Sequence, residues 1–327
     1  REVKMIRILK NFSRRILSSI FGRKKQIKIG FYGPPNAGKT SLAIQVAKHF
    51  NTEIISADSR QFYKGMNIGS AKPSEEELAQ VPHHFIDNRT LEYPMNVAEF
   101  ETEARVILNQ LIRQNGTAVI TGGSAQFIDA LLYGIDPIPV FPEIQETLNF
   151  ELETQGIGFL QAKLKSLDFK AYEAIDTQNS RRVIRALEVM IGTGNSILFY
   201  QQKKRIPCYP FLRFYVHWER ADLYTRINMR VDQMILEGLE SEVTALRDSK
   251  YQTVLNTVGY KEWEMFFNGT ESKAAVIEKI KQNSRNYAKR QLTWMNQYED
   301  LTALNPYSEH SLLNQLLTFV NTSNRNR

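Results

Sequence analysis

Cysteine is almost missing from this chain: Cys208 is the single copy in 327 residues. One thiol excludes an internal disulfide framework and any cysteine-rich zinc site, and such scarcity fits a reducing, cytosolic setting. Cys208 itself reads as an ordinary semi-buried residue. Long apolar runs are missing too, none approaching the ~18 residues that a membrane-spanning helix needs. Beyond residue 25 the chain also lacks appreciable net charge. Its total of +7 is concentrated in residues 1–25, where nine Lys or Arg stand against Glu2 alone. The basic balance therefore gives no general argument for nucleic-acid binding, which has to rest on local clusters.

What is present is enough hydrophobic residue, 42%, for a sizeable core and one or two domains. Residues 33–40 read Gly33-Pro34-Pro35-Asn36-Ala37-Gly38-Lys39-Thr40, the G-x-x-x-x-G-K-[ST] phosphate loop. Its context is right: Ile27–Tyr32 reads as a buried strand and Ser41–Ala47 as a helix. Backbone N–H groups freed by the glycines can close around phosphate oxygens at the positive end of a helix. Lys39 can reach terminal phosphates, and the Thr40 hydroxyl can hold Mg²⁺.

Further strands are expected at 53–57, 83–87, 117–121 and 211–218, with helices between them. This alternation predicts an α/β fold, a phosphate-loop NTPase-like parallel sheet covered by helices. Ligands in such sheets bind at the C-terminal strand ends. The phosphate loop, Asp58 and Gly122-Gly123-Ser124 all fall there. Three prolines in Asp136–Pro142 end the first part of the core, and a small, mainly helical inserted subdomain follows. The expected organisation is a basic amphipathic segment at 1–24, core at 25–136, insertion at 137–180, core and helices at 181–305, and a polar tail at 306–327, frayed from Thr318 to Arg327. The segment at 1–24 reads as an interaction arm, a targeting segment or a packed helix.

Several strings narrow the function: Ser56-Ala57-Asp58-Ser59-Arg60-Gln61, Ile68-Gly69-Ser70-Ala71-Lys72-Pro73, Arg181-Arg182-Val183-Ile184-Arg185-Ala186-Leu187-Glu188-Val189, Val258-Gly259-Tyr260-Lys261-Glu262 and Tyr287-Ala288-Lys289-Arg290-Gln291-Leu292-Thr293-Trp294. Across these strings, in order over roughly residues 27–300, the chain resembles the bacterial tRNA dimethylallyltransferases. The resemblance implies transfer of a dimethylallyl group from dimethylallyl diphosphate to N6 of adenosine 37, in tRNAs reading codons that start with U. It implies that residues 33–40 hold a prenyl diphosphate with Mg²⁺ on Thr40. It assigns Asp58 as general base, and Lys39 and Arg226 as stabilisers of the leaving diphosphate.

An exocyclic adenine amine is a weak nucleophile, and a carboxylate taking its proton as the N–C bond forms helps it react. Positive charge on the leaving group lowers the same barrier. Asp58 also reads as a helix cap or a Mg²⁺ ligand, and Arg226 as a surface helix arginine. The resemblance further assigns tRNA contacts to Asp58, Ser59, Arg60, Gln61, Ser124, Arg181, Arg182, Val183, Ile184, Arg185, Gly259, Tyr260 and Lys261. Lys281, Arg285 and Lys289 recur every four residues, a basic stripe on a helix or a solvated face. His83 and His84 read as structural, without metal-ligand partners.

Two departures stand out. Ser124-Ala125-Gln126-Phe127 replaces the T-G-L-Y usual in that family, and the Pro35-Asn36-Ala37 wording of the phosphate loop is closer to small GTPases. A GTPase would carry N-K-x-D, which occurs nowhere in the chain, and a small-molecule kinase would leave the strings at 181–189, 257–262 and 285–294 unexplained. A cytoplasmic monomer acting on an anticodon stem-loop is the simplest expectation.

Overall fold

The computed structural model describes residues 27–33, 37–201, 211–248 and 252–325. The expected features at 1–24, at Pro34, Pro35 and Asn36, and at Cys208 lie outside these residues. Six parallel strands form one sheet: β1 (Ile27–Tyr32), β2 (Ile54–Ser56), β3 (His83–His84), β4 (Thr117–Thr121), β5 (Leu212–Val216) and β6 (Leu301–Leu304). Their order is β3-β2-β4-β1-β5-β6, which puts β1 and its phosphate loop in the interior of the sheet. Every crossover in a parallel sheet has to return over a face, so both faces are covered and the central strands are largely buried. All five residues of β4 are buried.

The helices of eight residues or more among the described residues are α1 (Lys39–Phe50), α2 (Val97–Asn115), α3 (Ala125–Tyr133), α4 (Pro142–Leu167), α5 (Ser180–Thr193), α6 (Arg220–Leu236), α7 (Leu239–Leu246), α8 (Lys273–Met295) and α9 (Leu312–Arg325). On one face Ile29, Phe31, Val119 and Phe214 pack with Leu42, Val46 and Ala47 of α1 and Leu316 and Val320 of α9. Alternation sends Ala118 and Ile120 to the other face, against α2, whose start is fixed by a reciprocal Asn96–Glu99 capping box.

Two expectations change here. In the tail expected to fray from Thr318, residues Leu312–Arg325 form α9, which buries Leu316 and Val320 against the sheet. β6 falls within 181–305, where 211–218 is the one strand expected, and its Leu301–Leu304 residues pair with Arg213–Val216.

The chain divides into two compact units, one of them Tyr133–Pro207. Within it α4 breaks at Gly156, whose φ of 77° is left-handed. Lys163 then reaches Glu151 at 2.7 Å, whereas twelve residues of straight helix would separate them by about 18 Å, so the chain doubles back. Leu148, Leu160 and Leu164 pack against Val183, Ile184 and Leu187 of α5. Residues 181–207, expected in the core, thus belong to the second unit.

Candidate active site

The phosphate loop leads directly into α1. Gly38 caps that helix at φ 84°, and Thr40 stands in its first turn. Lys39 Nζ donates to the Gly33 carbonyl at 2.8 Å. Burial pushes the Lys39 ammonium down to about 8, and the Asp58 charge works in the opposite direction. The loop is tied to the start of α6 through Trp218, whose indole donates to the Ala37 carbonyl at 3.2 Å. The Arg226 guanidinium lies over that indole, 4.3 Å from its centroid. Arg226 is therefore held beside the phosphate loop.

Asp58 follows β2 at its C-terminal end. Its Oδ1 accepts the Arg60 amide at 3.1 Å, which leaves the second oxygen for a substrate. The strand ends of β2 and β4 meet here without room for a side chain: a Cβ on Gly122 would lie 2.2 Å from the Ala57 carbonyl oxygen. Only glycine permits so close an approach. Ala57 N donates to Thr121 O at 2.7 Å, and Ser59 N donates to Ser124 Oγ at 3.2 Å. The Ser124 hydroxyl thus sets the loop that carries Asp58.

Phe127 lies in an aromatic cluster with Phe62, Phe85 and Phe100. This position therefore needs a ring to fix Phe62, the residue after Gln61. Gln126 is exposed.

From α8, Gln291 donates to the Gly123 carbonyl, and the Tyr287 hydroxyl donates to the same oxygen at 3.4 Å. Burial, with the Asp58 charge adding to it, pushes the Tyr287 phenol up to about 12, so it stays a neutral donor. A cavity of ≈ 220 Å³ opens beside Asp58, lined by Ser59, Arg60, Gly69, Ser70, Ala71, Arg230, Thr257, Val258, Gly259, Ser284 and Tyr287, with Ile227, Val231, Met234 and Ile280 as its apolar part. A second hollow is lined by Tyr32, Gly33, Gly122, Gly123, Ser124, Arg290 and Trp294, and shares Ser59 and Tyr287 with the first.

Asp58, Ser59, Arg60 and Gly259 therefore line one cavity, with Ser124 next to it. Gln61 has a different place: Ser56 Oγ donates to its Oε1 at 3.2 Å, and its Nε2 donates to the Ala71 carbonyl at 3.0 Å. Tyr260 is buried and donates to Glu242 at 2.7 Å, with burial and that carboxylate holding its phenol well above the usual range. Lys261 is exposed.

In the second unit Val183 and Ile184 are core residues and offer no surface to RNA. Arg185 pairs with fully buried Glu188 at 2.6 Å, and Arg182 lies 3.7 Å from Asp176. Of the stripe on α8, Lys281 pairs with Asp232 and Glu278, and Arg285 donates to Asn228. Spacing in the sequence was silent about Glu242, which gathers the Asn67–Gly69 amides from far along the chain.

The family model described as IPP transferase matches residues 61–298. The chain is 42% identical over 287 residues to tRNA dimethylallyltransferase 1 of Bacteroides fragilis, covering 87% of this chain and 95% of that one. It is 46% identical over 268 residues to the tRNA dimethylallyltransferase of Christiangramia forsetii, covering 81% and 89%. The crystal structure of the full-length tRNA isopentenylpyrophosphate transferase of Bacillus halodurans superposes with a TM-score of 0.67 at 32% identity, covering 91% of this chain and 96% of that one.

Proposed function

We infer the reaction from one premise: this chain belongs to the IPP transferase family. It is an enzyme that transfers a dimethylallyl group to tRNA. We propose that the donor is dimethylallyl diphosphate and the acceptor N6 of adenosine 37, in tRNAs reading codons that start with U. The observation carrying the site assignment is the meeting, at Asp58, of a phosphate loop and a cavity walled by backbone and arginine.

Each step falls to a named group. Residues 33–40 and Lys39 hold the diphosphate, with Arg226 beside them on Trp218. The acceptor base leaves its stack and enters the cavity, as chemistry on a base requires. Asp58, with Oδ1 fixed by Arg60 N, takes the N6 proton as the new N–C bond forms and the C–O bond to diphosphate breaks. The charge left on diphosphate is met by Lys39, the loop amides and Arg226. Ile227, Val231 and Met234 limit water around the reacting carbon.

Magnesium belongs to the proposal as well. Among the described residues no group of three or more His, Cys, Asp or Glu could hold a metal by itself. The Thr40 hydroxyl at the helix start fits Mg²⁺ held jointly by protein and substrate phosphates, the usual manner for this ion. When bound, it supplies further charge neutralisation on the leaving group. Outside the Asp58 cavity, Arg181 and Lys261 are the candidate phosphate contacts. The reaction is assigned to the cytoplasm and to a monomer, one stem-loop per channel.

The test is direct. Purified protein, labelled dimethylallyl diphosphate, Mg²⁺ and unmodified tRNA should yield label in tRNA at adenosine 37. Unlabelled tRNA together with GTP or ATP turnover would overturn the reading.

A further inference from the structure

We propose that Glu242 is a positioning residue for the tRNA side of this reaction: its carboxylate sets the strap Asn67–Ala71 as one wall of the cavity that takes the target base. The inference rests on the dimethylallyl-transfer reading above. Glu242 stands in α7, far along the chain from the strap. Its Oε2 accepts the amides of Asn67 at 2.9 Å and Ile68 at 2.8 Å, and its Oε1 accepts the Gly69 amide at 3.0 Å. The Tyr260 hydroxyl adds a fourth bond, to Oε1 at 2.7 Å.

Three successive backbone amides converging on one anion form a nest, filled here by the protein's own side chain. Bonds to an ionised acceptor are the strong ones, and leaving the part-buried amides of Ile68 and Gly69 unpaired carries a cost. Strap and tyrosine also fit closely, since a Cβ on Gly69 would fall 2.5 Å from the Tyr260 ring.

The strap continues as Ser70 and Ala71, which line the cavity with the 257–259 turn that leads into Tyr260. Glu262 fixes that turn in its own way, accepting Gly259 N at 2.9 Å and the Asn283 amide of α8 at 2.7 Å. Among the described residues, the hydrogen bonds of the Glu242 carboxylate go to this wall. A flipped purine is flat and rigid, and misplacing its wall by about 1 Å is enough to cost rate. The consequence should therefore fall on tRNA and spare the donor.

The experiment compares the full chain with Glu242→Ala, Glu242→Gln and Tyr260→Phe by steady-state kinetics on unmodified tRNA, with hydrogen exchange of the 67–69 amides read alongside. The expected result is a tRNA KM raised about tenfold or more in Glu242→Ala and less in the other two, a donor KM within about twofold, and lost protection at 67–69. Should Glu242→Ala fail to fold, the two milder variants carry the same split between substrates. An unchanged tRNA KM, or a joint shift of both KM values and Tm, would overturn the proposal. A wild-type chain that labels no tRNA overturns the underlying reading instead, and the inference with it.

Discussion

Asp58 does two jobs with two oxygens. Oδ1 is spent on the Arg60 amide, so one oxygen is left to take a proton. Asp58→Ala should lower kcat by roughly 10²–10⁴-fold, as expected for the loss of a general base. Single-turnover transfer to tRNA measures it, and near-normal turnover would remove Asp58 from the mechanism.

Lys39 makes a second prediction, on pH. Its ammonium is lowered to about 8 from 10.5. Burial disfavours the charged form, so the folded protein holds fewer protons than the unfolded chain between those values. The cost to the fold is full below pH 8 and fades as pH rises toward 10.5. Diphosphate favours the charged form, so above pH 8 donor binding has to take up a proton. The donor KM should be flat below pH 8 and rise above it, as measured between about pH 6.5 and 9.5 at saturating tRNA. A donor KM that falls with pH over this range would contradict the assignment.

At the scale of elements, the Trp218 indole links phosphate loop and α6. Trp218→Leu removes both the bond to Ala37 and the ring beneath Arg226. The ring contact alone is worth about 1 kcal/mol, so the donor KM should rise by about fivefold or more while the tRNA KM holds. Equal changes in the two constants would show that Trp218 merely supports the fold.

Elements were readable where pattern and chemistry coincide locally. β1, α1 and β4 carry largely apolar runs, and they form as expected. β6 has four residues at a sheet edge, too few for a period to register. α9 was hidden by its polar composition, although Leu312, Leu316 and Val320 already carry the helical spacing. Arg185 and Glu188 sit three apart, a pairing distance on a helix, and that signal was present for an internal ion pair. Glu242 had no such signal, because the Asn67–Gly69 amides it binds are distant in sequence; Glu262 stands in the 258–262 string, but nothing in that string announces its bond to Asn283.

For the whole molecule, charge is compensated more fully than the basic strings imply. Lys281, Arg182 and Arg185 are engaged by acidic neighbours, whereas Arg181, Lys261, Lys289 and Arg290 have no ion pair among the described residues. Contacts to tRNA phosphate by four such groups would make log affinity fall with log salt at a slope of about −3, at roughly 0.7 per phosphate. Titration of tRNA binding between 50 and 200 mM salt, with an expected loss of about 50-fold, checks it. A slope near zero would exclude these groups as phosphate contacts.

The strand order also has a bearing on how the chain is made. Ile29 in β1 pairs with Val119 on one side and with Leu212 on the other, and the unit Tyr133–Pro207 is translated between those two partners. About ninety residues separate β4 from β5, which at ribosomal speed is roughly 5–18 s. During that interval the inserted unit, whose contacts are local, can fold first, while the edge of β1 waits unpaired beside the nascent phosphate loop. An open apolar edge is a template for wrong partners, so newly made chains of this protein are most in need of chaperone cover before residue 216 has left the ribosome.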